Sequence, residues 1–442
     1  MKKAISVGII GLGTVGAGVF RILTKEKELI AHRLGVPLEI GLIADTNISR
    51  FKDVGIPQHL MTTDAKEVIQ NPQIDIVLEL IGGIEPARTF HLMAINHRKH
   101  LVTANKALLA EYGEEIFQAA HAQHVDMGFE ASVGGGIPII RVLKEGFSGE
   151  RISAIFGIVN GTSNYILTQM SEEGRDFSEA LKEAQRLGFA EANPQLDING
   201  GDPAHKLAIL AMLAYGTPVP LEKIYTEGID RVTPIDITFA ERLGYKIKLL
   251  AITKLSEGRL EARVHPTMIP KEEILAQVNG VFNAISIIGE SVGESLFYGR
   301  GAGSMPTGSA VVSDLIDIAR NIQQGVAVRA PHLAYLPETR TAIEIQPMEE
   351  IQSSYYLRFH VEDRPGVLSE IAGVLGQHHI SIASVIQEGR RGALPSSSEK
   401  GVLLVMMTHQ AREKDIQGAL VIINGRDSVF EPTTLIRVEK IH

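Results

Sequence analysis

The stretch GFAEANPQLDINGGDPAHK, residues 188–206, sets Glu191, Asp197 and Asp202 in a loop broken by glycine and proline and closes on Lys206. Carboxylates gathered in this way can hold an ammonium or a hydroxyl, and a partly desolvated lysine can donate a proton to a forming alkoxide. Lys206 follows Asp202 by four residues, so on a helix the two share a face of the first turn. Asp202 before Pro203 predicts the start of that helix, because aspartate accepts an amide bond as N-cap and proline loses nothing at the first helical position. The alternative is a capped helix with a surface ion pair. Against it stands the crowding of acids ahead of the apolar run AHKLAILAMLAYG (204–216).

A second group of residues suits a nucleotide. In GLGTVG (11–16), Gly11, Gly13 and Gly16 follow the apolar run AISVGII and open a helical pattern, with Thr14 and Val15 between them. The first glycine permits a tight turn, the second lets a pyrophosphate approach the backbone, and the third allows close helix packing; the helix start supplies amide donors. The next strand ends in Asp45, farther from the turn than the usual spacing because KEKELIAHRLGVP lengthens the crossover. An acid there favours the free 2′-hydroxyl of NAD, Arg50 can instead answer the 2′-phosphate of NADP, and both can be solvated loop charges. In TANK (103–106), Thr103 and Lys106 fall just past a further strand end, where open parallel sheets place their ligands. Lys106 can meet cofactor phosphate, a substrate carboxylate or a carbonyl oxygen, or simply start a helix in water.

EASVGGGIP (130–138) ends an apolar strand on Glu130 and then runs through three glycines. This is a domain hinge or a wrap for a hard monovalent cation, made of carbonyl oxygens and the Glu130 carboxylate.

These residues need a scaffold, and the apolar runs supply one. Strand patterns at 4–10, 38–45, 74–80, 100–105 and 125–133, with helix patterns between several of them, predict an α/β domain with a Rossmann-type doubly wound parallel sheet over residues 1–134. A return helix is expected at about 305–333. Residues 135–304 read as an α+β substrate-binding and dimerisation domain, 334–353 as a linker, and 354–442 as a βαββαβ domain with a flexible hairpin excursion at 390–400. At 442 residues, two or three domains are expected. A net charge of −9 without a basic run argues against a nucleic-acid partner, and no apolar window is long enough to span a bilayer. With no cysteine, thioester chemistry, disulfides and thiolate metal sites are all excluded. The histidine pairs in HRKH (97–100) and HAQH (121–124) lack nearby acids and read as solvated.

In order, GLGTVG, VTANKA, EASVGGGIPII, NGTSNYIL (160–167), LGFAEANPQLDINGGDPAHK and GRGAGSMPTGSAVVSDL (299–315) resemble homoserine dehydrogenase over nearly the whole first 330 residues. VEDRPGVLSEIAGVL (361–375) resembles an ACT regulatory domain. The resemblance implies reversible NAD(P)-dependent reduction of L-aspartate 4-semialdehyde to L-homoserine, toward threonine and methionine, by a cytoplasmic homodimer or homotetramer without a nucleic-acid or membrane partner. It implies that Lys206 is the proton donor, with Lys106 its partner at cofactor and substrate. Glu191 and Thr162 would bind substrate, Asp202 would assist at its hydroxyl, and Asp197 would orient the site. Gly303 would touch the cofactor, and Glu130, Val133, Gly135 and Ile137 would fit a sodium site. Two positions depart from the family pattern: Asn193 replaces a second acid and reads as a loop-shaping residue, and Ala44 replaces an arginine associated with NADP.

In the last domain, the turn from Asp363 to Gly366 offers amides to an amino-acid carboxylate, and Gln387 is expected to read the effector, threonine. The alternative is a dimerisation module without a ligand. Two rival functions stand beside the first: a cofactor-binding sensor without turnover, for which Lys206 and Lys106 have no use, and a dehydrogenase of another hydroxy acid.

Overall fold

The computed structural model describes residues 2–388 and 401–441; the excursion expected at 390–400 lies outside the described residues. The chain forms two compact units, Met1–Gly161 with Asp202–Ile224 and Val281–Ile343, and Thr162–Gly201 with Tyr225–Gly280 and Glu344–His442.

The first unit is built on β1 (Ile5–Ile10), β2 (Leu38–Ala44), β3 (Met61–Thr62), β4 (Ile76–Glu79), β5 (His100–Thr103) and β6 (Met127–Gly128), in the order β3-β2-β1-β4-β5-β6. Every pairing is parallel. This is the doubly wound arrangement expected, and it reverses direction between β1 and β4, where such sheets bind ligands. Helices on both faces explain why β1 and β4 are continuously apolar, with Ile5, Val7, Ile9, Ile76 and Leu78 all without exposed surface. The two-residue β3 has no counterpart among the expected strands, because it is too short to show a period. Lys106 therefore follows the fifth strand.

Where a return helix was expected at about 305–333, a helix runs Ser304–Gln324 and ends earlier, at the left-handed Gly325. It lies against the helix Thr14–Lys25 with backbones in contact, since a side chain on Gly18 would run into the Ser304 carbonyl and one on Gly308 would reach 3.0 Å from the Gly18 carbonyl carbon. The same unit holds an antiparallel sheet of Ile152–Ile158, Phe282–Gly289 and Gly293–Arg300, and the long helices Lys106–Ala122 and Gly201–Tyr215.

In the second unit, Tyr245–Ser256 and Arg259–Pro270 form a hairpin. The C-terminal domain has the expected βαββαβ order, with strands Gln352–Val361, Ile382–Glu388, Val402–Thr408 and Thr434–Val438 and helices Val367–Gln377 and Glu413–Asn424. Its core is Tyr355, Leu357, Phe359, Leu375, Met406, Ile416 and Ile423. Thr434–Val438 pairs with Gln352–Val361 on one side and runs parallel to Arg259–Pro270 on the other. The sheet of the last domain thus continues into the hairpin. Buried ion pairs stand along it: Arg358 Nε on Asp236 Oδ1 at 2.7 Å and Arg263 Nη2 on Glu439 Oε1 at 2.5 Å. The segment expected as a linker is also fastened, as Glu344–Ile345 adds a short parallel strand to Arg259–Pro270.

Candidate active site

In the first unit, the Asp202 carboxylate lies between two ammonium groups. Its Oδ2 accepts from Lys206 Nζ at 2.7 Å and from Asn160 Nδ2 at 2.7 Å, and its Oδ1 lies 2.6 Å from Lys106 Nζ. Lys206 Nζ also donates to the Val159 carbonyl at 2.6 Å. Asp202 and Lys206 are buried, whereas the Lys106 side chain is 42% exposed, so one lysine is enclosed and the other reaches the surface. Burial works against the charged form of Asp202, but Lys206 and Lys106 outweigh it and hold the carboxyl below the usual range. The expected N-cap role is not what the structure shows: the helix begins at Gly201, whose N–H bonds to Asn199 Oδ1 at 2.9 Å. The Asp202 carboxylate is taken by cations instead. Asn160, in the NGTSNYIL motif, was not singled out in sequence; only its contact with Asp202 reveals it.

Thr162, Glu191 and Asp197 belong to the second unit. Thr162 Oγ1 donates to the Phe189 carbonyl at 2.7 Å and Ser163 Oγ to the Asp197 carbonyl at 2.7 Å, so the helix Gly161–Glu173 carries the acidic loop by two hydroxyl bonds. Glu191 is exposed. Asn193 Oδ1 accepts from Gln195 N at 3.4 Å, a loop-shaping contact.

The glycine turn fits a dinucleotide. Gly11 has φ +100°, open to glycine at little cost, and a side chain on Gly16 would run into the Gly11 carbonyl. At Gly13 a side chain would meet nothing within 4 Å, so the position faces open space at the start of the helix Thr14–Lys25. Thr14, Val15 and Gly16 present first-turn amides there, as an anion requires. Ser304 Oγ donates to the Thr14 carbonyl at 2.7 Å and so ties the turn at Gly303, φ +123°, to the glycine turn. Asp45, 6% exposed, accepts from Leu12 N at 2.6 Å through Oδ2 and from Asn47 N at 2.8 Å through Oδ1.

Thr103 is buried, and its hydroxyl donates to Glu79 Oε2 at 2.9 Å. Glu79 Oε1 accepts from Ile81 N at 2.8 Å and Gly82 N at 3.2 Å, and Asn105 Nδ2 bonds the Gly83 carbonyl at 2.7 Å. Glu79 is therefore a brace between the loops after β4 and β5. Its signal in sequence was a lone acid closing an apolar strand.

Glu130 is buried, and its carboxylate accepts from Ile140 N at 2.8 Å and Arg141 N at 2.9 Å. Burial, and then the charge of Asp314, push it up to about 7. Gly134 and Gly135 take φ +71° and +55° in the bend. Both Glu130 oxygens are engaged by amides, so a cation here would draw on the carbonyls of Val133, Gly135 and Ile137, the last of which already accepts from Ile139 N at 2.8 Å. Among the described residues no three His, Cys, Asp or Glu side chains gather to hold a metal ion. No helix among them is long and apolar enough to cross a membrane.

In the last domain, exposed Asp363 and left-handed Gly366, φ +99°, precede the helix Val367–Gln377. Gln387 is exposed on the edge strand Ile382–Glu388, opposite Leu404.

Comparison with known proteins matches residues 11–130 to the homoserine dehydrogenase NAD binding domain, 138–316 to homoserine dehydrogenase and 355–421 to the ACT domain. The chain is 46% identical over 440 residues to the homoserine dehydrogenase of Neisseria gonorrhoeae, with both chains fully covered, and 44% identical over 443 residues to that of Pseudomonas aeruginosa, also fully covered. The crystal structure of a homoserine dehydrogenase from Thiobacillus denitrificans superposes with a TM-score of 0.93 at 45% identity, covering 100% of this chain and 99% of that one. A hyperthermophilic archaeal homoserine dehydrogenase in complex with NADPH superposes with a TM-score of 0.61 at 28% identity over 71% of this chain and 97% of that one. With a dinucleotide-type glycine turn, a buried lysine and acid centre and an ACT domain in one chain, the protein belongs to the homoserine dehydrogenase family of oxidoreductases.

Proposed function

We propose that the enzyme interconverts L-homoserine and L-aspartate 4-semialdehyde using NAD or NADP. The observation that carries this reading is Asp202 held between Lys206 and Lys106 in a largely buried setting. When bound, the nicotinamide supplies or accepts the hydride at the carbonyl carbon. Reduction of an aldehyde then leaves an alkoxide that needs one proton, and Lys206 gives it; in the reverse direction Lys206 takes it from the hydroxyl. Asp202 and the Val159 carbonyl fix where the Lys206 amine points, and Asn160 holds Asp202. Lys106, more exposed, is suited to steer the polar groups of cofactor and substrate. Substrate binding by Thr162, Glu191 and Asp197 is proposed on the family resemblance.

The same reading places the enzyme in threonine, methionine and isoleucine biosynthesis, in the cytoplasm and as a homo-oligomer. It assigns a sodium ion to the carbonyls around Val133, Gly135 and Ile137 near Glu130, and threonine inhibition to the ACT domain through Asp363, Gly366 and Gln387. A cofactor sensor without turnover is disfavoured, because burying a lysine beside an acid costs stability and a sensor has no use for a proton donor. Following nicotinamide absorbance with homoserine and each dinucleotide tests the proposal. Reduction of NAD or NADP dependent on homoserine is expected; its absence with both would contradict the reading.

A further inference from the structure

We propose that Asn283 is a positioning residue for the reaction: it sets the loop that holds the proton donor in register with the loop that meets the cofactor. The proposal deepens the reading above and rests on its dinucleotide half. Asn283 stands near the start of Phe282–Gly289, the middle strand of the three-stranded sheet in the first unit, opposite Gly299, and the next residue, Ala284, stands opposite Ile158. The two flanking strands end beside it, one at Ile158 and the other at Arg300. Each leads directly into a working loop. Residues 159–161 supply the carbonyl that fixes Lys206 and, through Asn160, the amide that holds Asp202. Residues 301–303 lead to Ser304, whose hydroxyl ties this turn to the glycine turn at Thr14.

The Asn283 side chain lies against both loops. A side chain on Gly301 would run into the Asn283 amide, and one on Gly161 would come within 3.7 Å of Asn283 Oδ1. Gly301 is closed in by a third loop, because a side chain on Gly135 would run into the Gly301 carbonyl, and Gly136 N donates to the Arg300 carbonyl at 3.0 Å. Asn283 is 1% exposed, yet neither its Nδ2 nor its Oδ1 has a hydrogen-bond partner among the described residues. Its strand neighbours Ala284, Ile285 and Ile287 are fully buried and apolar, so an apolar residue would suit the position better. A buried amide left unpaired costs stability, and a residue that breaks the rule for a core position is expected where function asks for it. Reduction of a carbonyl needs hydride at carbon and a proton at oxygen in one geometry, and Asn283 stands between the loops that govern the two. Its amide gains its hydrogen bonds when the turn at Gly301 settles onto bound dinucleotide. A displacement of about 1 Å between two such loops is enough to slow the reaction by about 100-fold.

The test compares full-length wild type, Asn283→Leu and Asn283→Ala by thermal unfolding without ligand, fluorescence titration of NADPH and NADH, and single-turnover oxidation of homoserine. Asn283→Leu keeps the shape and removes the amide; Asn283→Ala guards against a clash at Gly301. At least one variant should unfold at the wild-type Tm or above, with the tighter-binding dinucleotide weakened by about tenfold, the worth of one or two hydrogen bonds, and hydride transfer slowed by about 10- to 100-fold. An amide needed only for folding would act differently, so a lower Tm in both variants would overturn the proposal. Unchanged dinucleotide affinity, or hydride transfer at the wild-type rate, in a variant that keeps its Tm would overturn it too. Wild type that binds a dinucleotide but leaves homoserine unoxidised would count against the reaction, with Tm and dinucleotide affinity still deciding the role of Asn283. Wild type that binds neither dinucleotide would overturn the dinucleotide reading and this proposal with it.

Discussion

Asp202 answers to two lysines at once, and that sharing has kinetic consequences. Replacing it with asparagine keeps the shape but leaves Lys206 and Lys106 facing each other without a negative charge. Asp202→Asn is expected to lower kcat for homoserine oxidation by about 100-fold or more, in the range of acid–base contributions, with NADPH affinity changed much less; steady-state kinetics beside a fluorescence titration reads both. The spacing of Asp202 and Lys206 was legible in sequence, because residues four apart on a helix meet. Lys106 was legible only as a lysine at a strand end, since its partner lies about a hundred positions away. Asn160 was not legible at all, and Glu79 showed only as a lone acid closing an apolar strand. A polar residue that serves by bonding another side chain leaves no local pattern, and Glu79 does its work through loops that the fold alone brings near.

At the level of elements, glycines decide how closely helices approach. The contact of Thr14–Lys25 with Ser304–Gln324 has no room for a side chain at Gly18, so Gly18→Ala is expected to destabilise the protein by about 1–3 kcal/mol, the usual cost of overpacking; thermal unfolding checks it, with a lower Tm expected. Lys248, on the strand Tyr245–Ser256, carries a second prediction. It is 2% exposed and donates to the Val278 carbonyl at 2.6 Å and Asn279 Oδ1 at 3.0 Å, and burial, then the charge of Lys246, lower its pKa from 10.5 to about 7, with Glu172 opposing. Below about pH 7 both folded and unfolded chains carry this proton and the cost of burying the charge is present in full. Between about 7 and 10.5 the unfolded chain binds the proton more readily, so this group makes stability rise with pH, by up to about 1.4 kcal/mol per unit. In Lys248→Met that rise should be smaller, as urea unfolding at several pH values would show. The periodicity of the strands and helices was readable in advance. The two-residue β3 and the true start of the helix Gly201–Tyr215 were not, because the first has no period and the second is set by Asn199.

Over the whole chain, the C-terminal domain reads in sequence as an appendage after a linker, and its βαββαβ order is indeed present. What the order did not show is that its last strand pairs with Arg259–Pro270 and that Arg358 is sealed against Asp236, with Tyr356 OH on the same carboxylate at 3.0 Å. Strand pairing across about 170 positions carries no local signal. Arg358→Met would strand a buried Asp236 charge, and a loss of about 3–5 kcal/mol is expected, whereas Arg358→Met with Asp236→Leu should lose much less; denaturant unfolding separates the two. Cutting the chain near Pro347 would remove the whole last domain from the second unit, including the strand paired with Arg259–Pro270, so threonine inhibition is better tested in full-length Gln387→Ala. Reduced sensitivity to threonine with unchanged turnover is the expected result.

The central claim is that Lys206 exchanges the proton of the reacting oxygen. It is tested most directly by single-turnover oxidation of homoserine in Lys206→Met, alongside a circular dichroism spectrum and an NADPH titration that show a folded, cofactor-binding protein. The account predicts native folding and cofactor affinity with hydride transfer slowed by about 100-fold or more; hydride transfer near the wild-type rate would contradict it.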